Sequence, residues 1–385
     1  MMPDTSPTRA YPDTTLELRS TLADDGGITL AMMEAPVEAP GPDEVVVRIE
    51  AAPINPSDMG MLFAGADLTT ATAVSDGTNP AVRLSLAPGV AAAQAARLGQ
   101  AMPTGNEGAG VVVAAGSSDH AQALLGRVVG FLSGNAYAQY RRLNVAQCLA
   151  MPDGTTSAQA AAPFVNPLTA IGMVETMRAE GHTALVHTVG ASNLGQMLNR
   201  LCLADGVGLV NIVRSSAQAE LVRSQGGEHV CDSSSDTFSD DLRAALRSTG
   251  ATIAFDAIGG GTLADTLLTA MEAVASESAS AFSRYGSDTH KQVYLYGGLD
   301  RSPTTLNRRY GMSWGVGGWL LTPFLVKIGH ERAEALRARV AAEITTTFAS
   351  DYGMRISLAE AVDPNVVKRY GRAATGEKAL VTPQA

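Results

Sequence analysis

Apolar positions fall into two textures along the chain. In the first third, short runs such as Glu44–Ala51 (EVVVRIEA), Gly110–Ala114 and Arg127–Phe131 are separated by Gly/Pro turns, which predicts a β-rich first domain. From about Pro163 the pattern changes. Continuous apolar runs at Ala184–Val189, Val207–Val213, His229–Cys231, Thr252–Ile258 and Val293–Tyr296 alternate with amphipathic segments at Leu194–Leu203, Ala217–Gln225 and Leu263–Ala273. Short strands that are apolar on both faces, joined by helices, predict a parallel sheet covered on both sides. The segment Glu331–Phe348 reads as helix, and the tail EKALVTP as a short strand able to return to the first domain. The first dozen residues, rich in Pro, Asp and Thr, read as a frayed end.

One stretch breaks the β-rich texture. Gly65–Gly105 is long for a connection and is expected to be a functional loop, a lid or a disordered insert, with helical propensity over Val90–Gln100. The 385 residues suffice for two domains; 45 % are hydrophobic and 17 % charged, which favours a close-packed α/β protein. A formal net charge of -10 without a Lys/Arg run speaks against a nucleic-acid partner. Cys148, Cys202 and Cys231 are too scattered for a disulfide framework or a zinc lobe, so buried free thiols are expected. The N-terminal stretch lacks a basic start followed by an apolar run, and no apolar segment is long enough to span a membrane. The expectation is a soluble, cytoplasmic protein.

The strongest local signal is VHTVGASNLGQ. A strand runs into Gly190-Ala-Ser-Asn-Leu-Gly195 and then a helix, a variant of the G-x-G-x-x-G dinucleotide turn with Ser192 at the middle position. Small residues let the backbone approach a pyrophosphate and let helix pack on strand, and the helix N-terminus favours the anion. The next strand, VGLVNIV, ends in Arg214-Ser215-Ser216. An NAD site would place an acidic residue there for the ribose hydroxyls; a cation and two hydroxyls instead suit a 2′-phosphate, so NADP(H) is the expected cofactor.

Ordered segments extend this signal over nearly the whole chain: AAPINPSD, GNEGAGVVVAAG, FVNPLTAIGM, VNIVRSSAQAELVRSQGGEHV, FDAIGGGTL, YLYGGL and TGEKALVTP. Together they resemble the medium-chain dehydrogenase/reductase superfamily, in particular its zinc-free quinone oxidoreductase and enoyl-thioester reductase branches. The resemblance implies an α/β protein with a GroES-like β-rich catalytic domain (residues 1–163 and 330–385, insert 66–104) and a Rossmann doubly wound parallel-sheet domain (164–329). Where zinc-dependent members carry Cys and His, this chain has Asn55 and Asn106, so no metal site is expected. The implied chemistry is hydride transfer from NADPH to a quinone or an α,β-unsaturated carbonyl.

The same resemblance implies the site residues. Asn166 would contact the cofactor near the nicotinamide, with Thr169 flanking it. Gly190, Ser192, Asn193, Leu194 and Gly195 would cradle the pyrophosphate, and Arg214 and Ser215 would hold the 2′-phosphate. Tyr296, Gly297, Gly298 and Leu299 lie where α/β sheets bind ligands. Gly318, Trp319 and Leu320 match a segment beside the nicotinamide, with core or interface packing as the alternative. Lys378 would reach the cofactor from the tail. Asn55 and Thr169 are the catalytic candidates, although a buried Asn55 holding the turn before Pro56 is an equal reading. The tyrosine that enoyl-thioester reductases carry shortly after this segment is missing, since its place falls near Ala66. Enoyl-thioester reduction and a non-catalytic NADP(H)-binding role therefore remain alternatives. A small-molecule substrate and a homodimer are the expected partners, with no nucleic acid or membrane.

Overall fold

The computed structural model describes residues 10–75, 79–87, 89–277 and 283–385. The expected frayed start falls largely outside that range, as do four positions of the insert. The described residues form two compact units. One takes in the chain up to Val165 with Arg337–Thr345 and Ala349–Ala385; the other comprises Asn166–Leu336 and Thr346–Phe348.

The first unit is built on two sheets. Strands Thr14–Leu22 and Gly27–Pro36 pair antiparallel and anchor a five-stranded sheet. Glu44–Pro53 anchors the larger one, flanked by Glu107–Ala115 and Tyr140–Asn144. The returning tail behaves as its sequence suggests: Ala379–Val381 pairs antiparallel with Glu44–Pro53 through Leu380 and Val381. Val45, Val47, Ile49, Val82, Val129 and Phe131 are buried in the common core. Each such side chain contributes roughly 1.5–3 kcal/mol by leaving water.

The insert differs from its expectation. Asp67–Ser75 and Pro80–Ser85 pair antiparallel, and the second adds to Gly27–Pro36, so the two extend the five-stranded sheet. The expected helix over Val90–Gln100 shrinks to one turn, Val90–Ala93, and a 3-10 turn, Ala95–Arg97. The Arg97 guanidinium pins this part down, donating to Ser20 Oγ at 2.8 Å and to the Met61 carbonyl at 2.6 Å.

The second unit carries a six-stranded, wholly parallel sheet. Numbered in chain order from Ala184–His187, its strands lie in the order 3-2-1-4-5-6, the doubly wound arrangement in which ligands bind beyond the carboxyl ends of the strands. The helix Asn193–Asp205 shows how sequence makes this layer. Leu194, Met197, Leu198, Leu201 and Cys202 recur at helical spacing and are buried, and Gly206 closes the helix at φ +64. The helix Phe238–Thr249 and the sixth strand, Trp314–Gly318, are elements that the apolar pattern does not mark. Among the described residues no helix is long and apolar enough to cross a membrane.

Candidate functional site

In the second unit the Gly190–Gly195 turn has the geometry its small residues require. Strand Ala184–His187 is hydrogen-bonded on both sides, so its carboxyl end is rigidly held. A Cβ on Gly195 would stand 2.4 Å from the Gly190 carbonyl oxygen and 2.5 Å from that of Val189, and one on Gly190 would stand 2.9 Å from Asn211. The helix start thus lies against the backbone of the turn, and the turn against the Asn211 side chain of the neighbouring strand. Ser192 is the helix N-cap, its Oγ accepting from the Gly195 amide at 3.0 Å, which leaves the hydroxyl hydrogen for another partner. Asn193 and Leu194 open the helix, and the Asn166 side-chain amide donates to Asn193 Oδ1 at 3.2 Å. Thr169 lies one turn beyond Asn166 on the helix Val165–Ala179, and both are buried.

At the end of the second strand Arg214 is exposed, and Ser215 caps the helix Ser216–Ser224. Behind it Asn211, fully buried, donates to Asn199 Oδ1 at 3.1 Å, while its own Oδ1 has no partner. A tight glycine turn, a helix N-terminus and a cation one strand away fit the diphosphate and 2′-phosphate of NADP(H).

The remaining strand ends form a bonded rim. Asp256, fully buried, accepts from Thr188 Oγ1 at 2.8 Å and from the amides of Ile258 and Gly259. Tyr296 follows the fifth strand, Lys291–Leu295, and its hydroxyl meets His187 Nε2 at 2.7 Å. Gly297, Gly298 and Leu299 are exposed beyond it, as are Gly318 and Leu320. Trp319 instead packs inward, edge-on to Phe255 and against Gly172, with its indole N–H on Thr176 Oγ1 at 3.0 Å.

In the first unit, Asn55 caps the short turn Pro56–Asp58, with its backbone amide on Asp58 Oδ2 at 2.8 Å. Its side chain donates to Glu107 Oε1, also at 2.8 Å. Glu107 Oε2 in turn accepts from the amides of Phe164 and Val165. Asp58 Oδ1 takes the Asn106 amide, and the Asn106 side chain donates to Ser57 Oγ. Lys378 completes the cluster, its ammonium 5.6 Å from the Tyr352 ring centroid. Burial pushes the Asp58 carboxyl up to about 7 against the pull of its amide donors, and also raises Glu107. Burial brings Lys378 down to about 8, opposed by the charges of Glu107 and Asp58. Tyr137 is a core residue here, donating to the Pro53 carbonyl.

Asp58, Glu107 and Lys378 come from three distant parts of the chain. No periodicity links these positions, since Asp58 ends a 3-10 turn, Glu107 opens a strand and Lys378 precedes one. Among the described residues no group of three or more His, Cys, Asp or Glu is placed to hold a metal ion. The three cysteines are free, Cys148 half-buried and the other two buried. Burial raises the thiols of Cys148 and Cys202 to about 12 and that of Cys231 to about 11, which makes them poor nucleophiles.

No family model matches the chain. A mycocerosic acid synthase-like polyketide synthase of Mycobacterium tuberculosis is 26 % identical over 223 residues, 57 % of this chain and 9 % of that protein. The rat synaptic vesicle membrane protein VAT-1 homolog is 27 % identical over 224 residues, 58 % of this chain and 48 % of that one. The chain thus matches less than half the length of either relative. Solved structures match end to end. A Mesorhizobium loti protein assigned as an NADPH:quinone reductase superposes with a TM-score of 0.71 at 23 % identity, covering 97 % of this chain and 99 % of that one. The ETR1P–NADP–crotonyl-CoA complex superposes at 0.67 with 17 % identity, covering 96 % and 100 %. A mycobacterial protein complexed with NADPH superposes at 0.63 with 19 % identity, covering 96 % and 100 %.

Proposed function

Because the chain has the medium-chain dehydrogenase/reductase fold, a GroES-like unit with a Rossmann unit, we propose that it is a zinc-independent, NADPH-dependent oxidoreductase acting on a quinone or an α,β-unsaturated carbonyl. The observation that carries the reading is the Gly190–Gly195 turn, whose backbone contacts exclude any larger residue at Gly195. In this reading residues 164–329 hold the cofactor. Ser192 and the first-turn amides bind its diphosphate, and Arg214 and Ser215 bind its 2′-phosphate. Bound NADPH supplies the hydride, and a substrate carbonyl conjugated to the double bond accommodates the electron pair. Asn55 orients the first unit's polar cluster through Glu107 and takes no proton itself.

The choice of NADP over NAD rests on Arg214, and the choice of quinone or enone over enoyl thioester on the absence of a tyrosine near Ala66. The enoyl-thioester reading is supported by neighbours such as the crotonyl-CoA complex. Loss of reduced-nicotinamide absorbance should be followed with NADPH and with NADH against quinones, enones and enoyl thioesters side by side. Turnover with NADPH on quinones or enones is the expected result. Turnover on thioesters alone establishes the second reading, and cofactor binding without turnover on any substrate removes both.

A further inference from the structure

One buried pair at the rim of the parallel sheet is half-bonded. His187 ends the first strand and is fully buried. Its Nε2 lies 2.7 Å from the Tyr296 hydroxyl, its Nδ1 has no partner, and the rings stack with centroids 5.8 Å apart. Burial alone drives the imidazole pKa down to about 3, so the ring is neutral and carries one N–H. That hydrogen has two possible places. On Nδ1 it would be a buried donor with nothing to meet, and orphaned buried N–H groups are rare in proteins. On Nε2 it is satisfied by the phenol oxygen, and only an acceptor nitrogen is left bare. The second arrangement wins, and it has a consequence for Tyr296: the phenol oxygen accepts from His187, so its own hydrogen points elsewhere.

The place of that hydroxyl gives it a ligand. His187 is three residues before Gly190, on the strand that feeds the pyrophosphate turn. Tyr296 follows the fifth strand, and its side chain reaches back over the end of the fourth to the first. A doubly wound sheet is two mononucleotide-binding halves, and the fourth to sixth strands make the half opposite the adenosine. Asp256, which ends the fourth strand, is already engaged by Thr188 and by two backbone amides. Tyr296, half-buried, therefore presents a hydroxyl hydrogen at the nicotinamide half.

We propose that the Tyr296 hydroxyl donates a hydrogen bond to the carboxamide oxygen of a bound nicotinamide, with His187 as its positioning residue. The inference rests on the NADP(H) reading above and assigns Tyr296 no proton transfer.

The test compares two ligands by calorimetry: NADPH, and adenosine 2′,5′-bisphosphate, which has the 2′-phosphate but no nicotinamide. Tyr296→Phe should weaken NADPH about fivefold to tenfold, the size of one net hydrogen bond, and leave the bisphosphate unchanged. Unchanged NADPH affinity overturns the proposal, and so does an equal loss for both ligands. If the wild-type protein binds neither, the NADP(H) reading itself fails and the inference falls with it, a result distinct from either of the others. The role of His187 is read separately. Nitrogen-15 NMR of the ligand-free protein should find its hydrogen on Nε2, whereas an Nδ1–H tautomer overturns the positioning role. His187→Leu should weaken NADPH as much as Tyr296→Phe does, with no further loss in the double variant. Should that variant misfold, the tautomer measurement decides alone.

Discussion

The side-chain amide of Asn55 donates to Glu107 Oε1 across 2.8 Å, joining the turn before Pro56 to a strand 52 residues further on. Both residues are fully buried, so each satisfies a polar group that water cannot reach. Asn55→Ala should cost about 1–3 kcal/mol in denaturant unfolding, the usual penalty for orphaning a buried acceptor. Asn55→Asp should cost more above neutral pH, because it sets a second carboxylate against Glu107. A variant as stable as the wild type would show that the bond contributes nothing.

The charges beside this bond predict how stability follows pH. The Asp58 carboxyl rises from 3.8 to about 7 in the folded state. Between those values the native chain holds a proton that the unfolded chain has released, so stability falls as pH rises through that window. The Lys378 ammonium drops from 10.5 to about 8. There the unfolded chain binds the extra proton, and stability rises with pH from about 8 upward. The two contributions are least favourable between these limbs. Urea unfolding across the pH range should show a shallower acid limb in Asp58→Asn and a shallower alkaline limb in Lys378→Met, each relative to the wild type.

Gly195→Ala places a methyl group against the Gly190 and Val189 carbonyl oxygens at 2.4 and 2.5 Å. These are backbone atoms and cannot swing aside, so the helix Asn193–Asp205 must shift from the strand. The expected destabilisation is about 1–3 kcal/mol. NADPH affinity should fall at least about tenfold, as the displaced amides lose their aim. Calorimetric titration and thermal unfolding check the two effects; unaltered NADPH affinity removes this turn from the cofactor site.

Arg214→Ala should weaken NADPH by about tenfold or more, the loss of one charge-assisted contact, and leave NADH affinity unaltered. Arg214 is exposed in the structure, so thermal stability should not change. Equal losses for both nucleotides would take the 2′-phosphate away from this residue.

Legibility in the sequence followed the range of the interactions. The run ALVHTVG and the period of Leu194, Met197, Leu198 and Leu201 marked a strand, a turn and a helix because each pattern closes within a few residues. Asp67–Ser75 went unread for the opposite reason. Only Ala71 is buried along it, so its strand conformation comes from pairing with Pro80–Ser85 and has no apolar alternation behind it. The helix Phe238–Thr249 buries just Leu242, Ala245 and Leu246 among polar neighbours, and its signal was correspondingly thin.

By itself the sequence determined the parallel-sheet unit, the small residues of the Gly190–Gly195 turn and the short strand in the tail; its pairing with the strand Glu44–Pro53 came from the fold. Local sterics and burial periodicity act over a handful of residues and are written in the chain. Tertiary structure alone decided that Asn55 meets Glu107, that Lys378 is charge-coupled to both Glu107 and Asp58, and that His187 turns one ring nitrogen to Tyr296, 109 residues away, and leaves the other bare. Such partners are chosen by which buried polar groups the folded backbone brings within hydrogen-bonding distance, and no spacing along the chain encodes that choice.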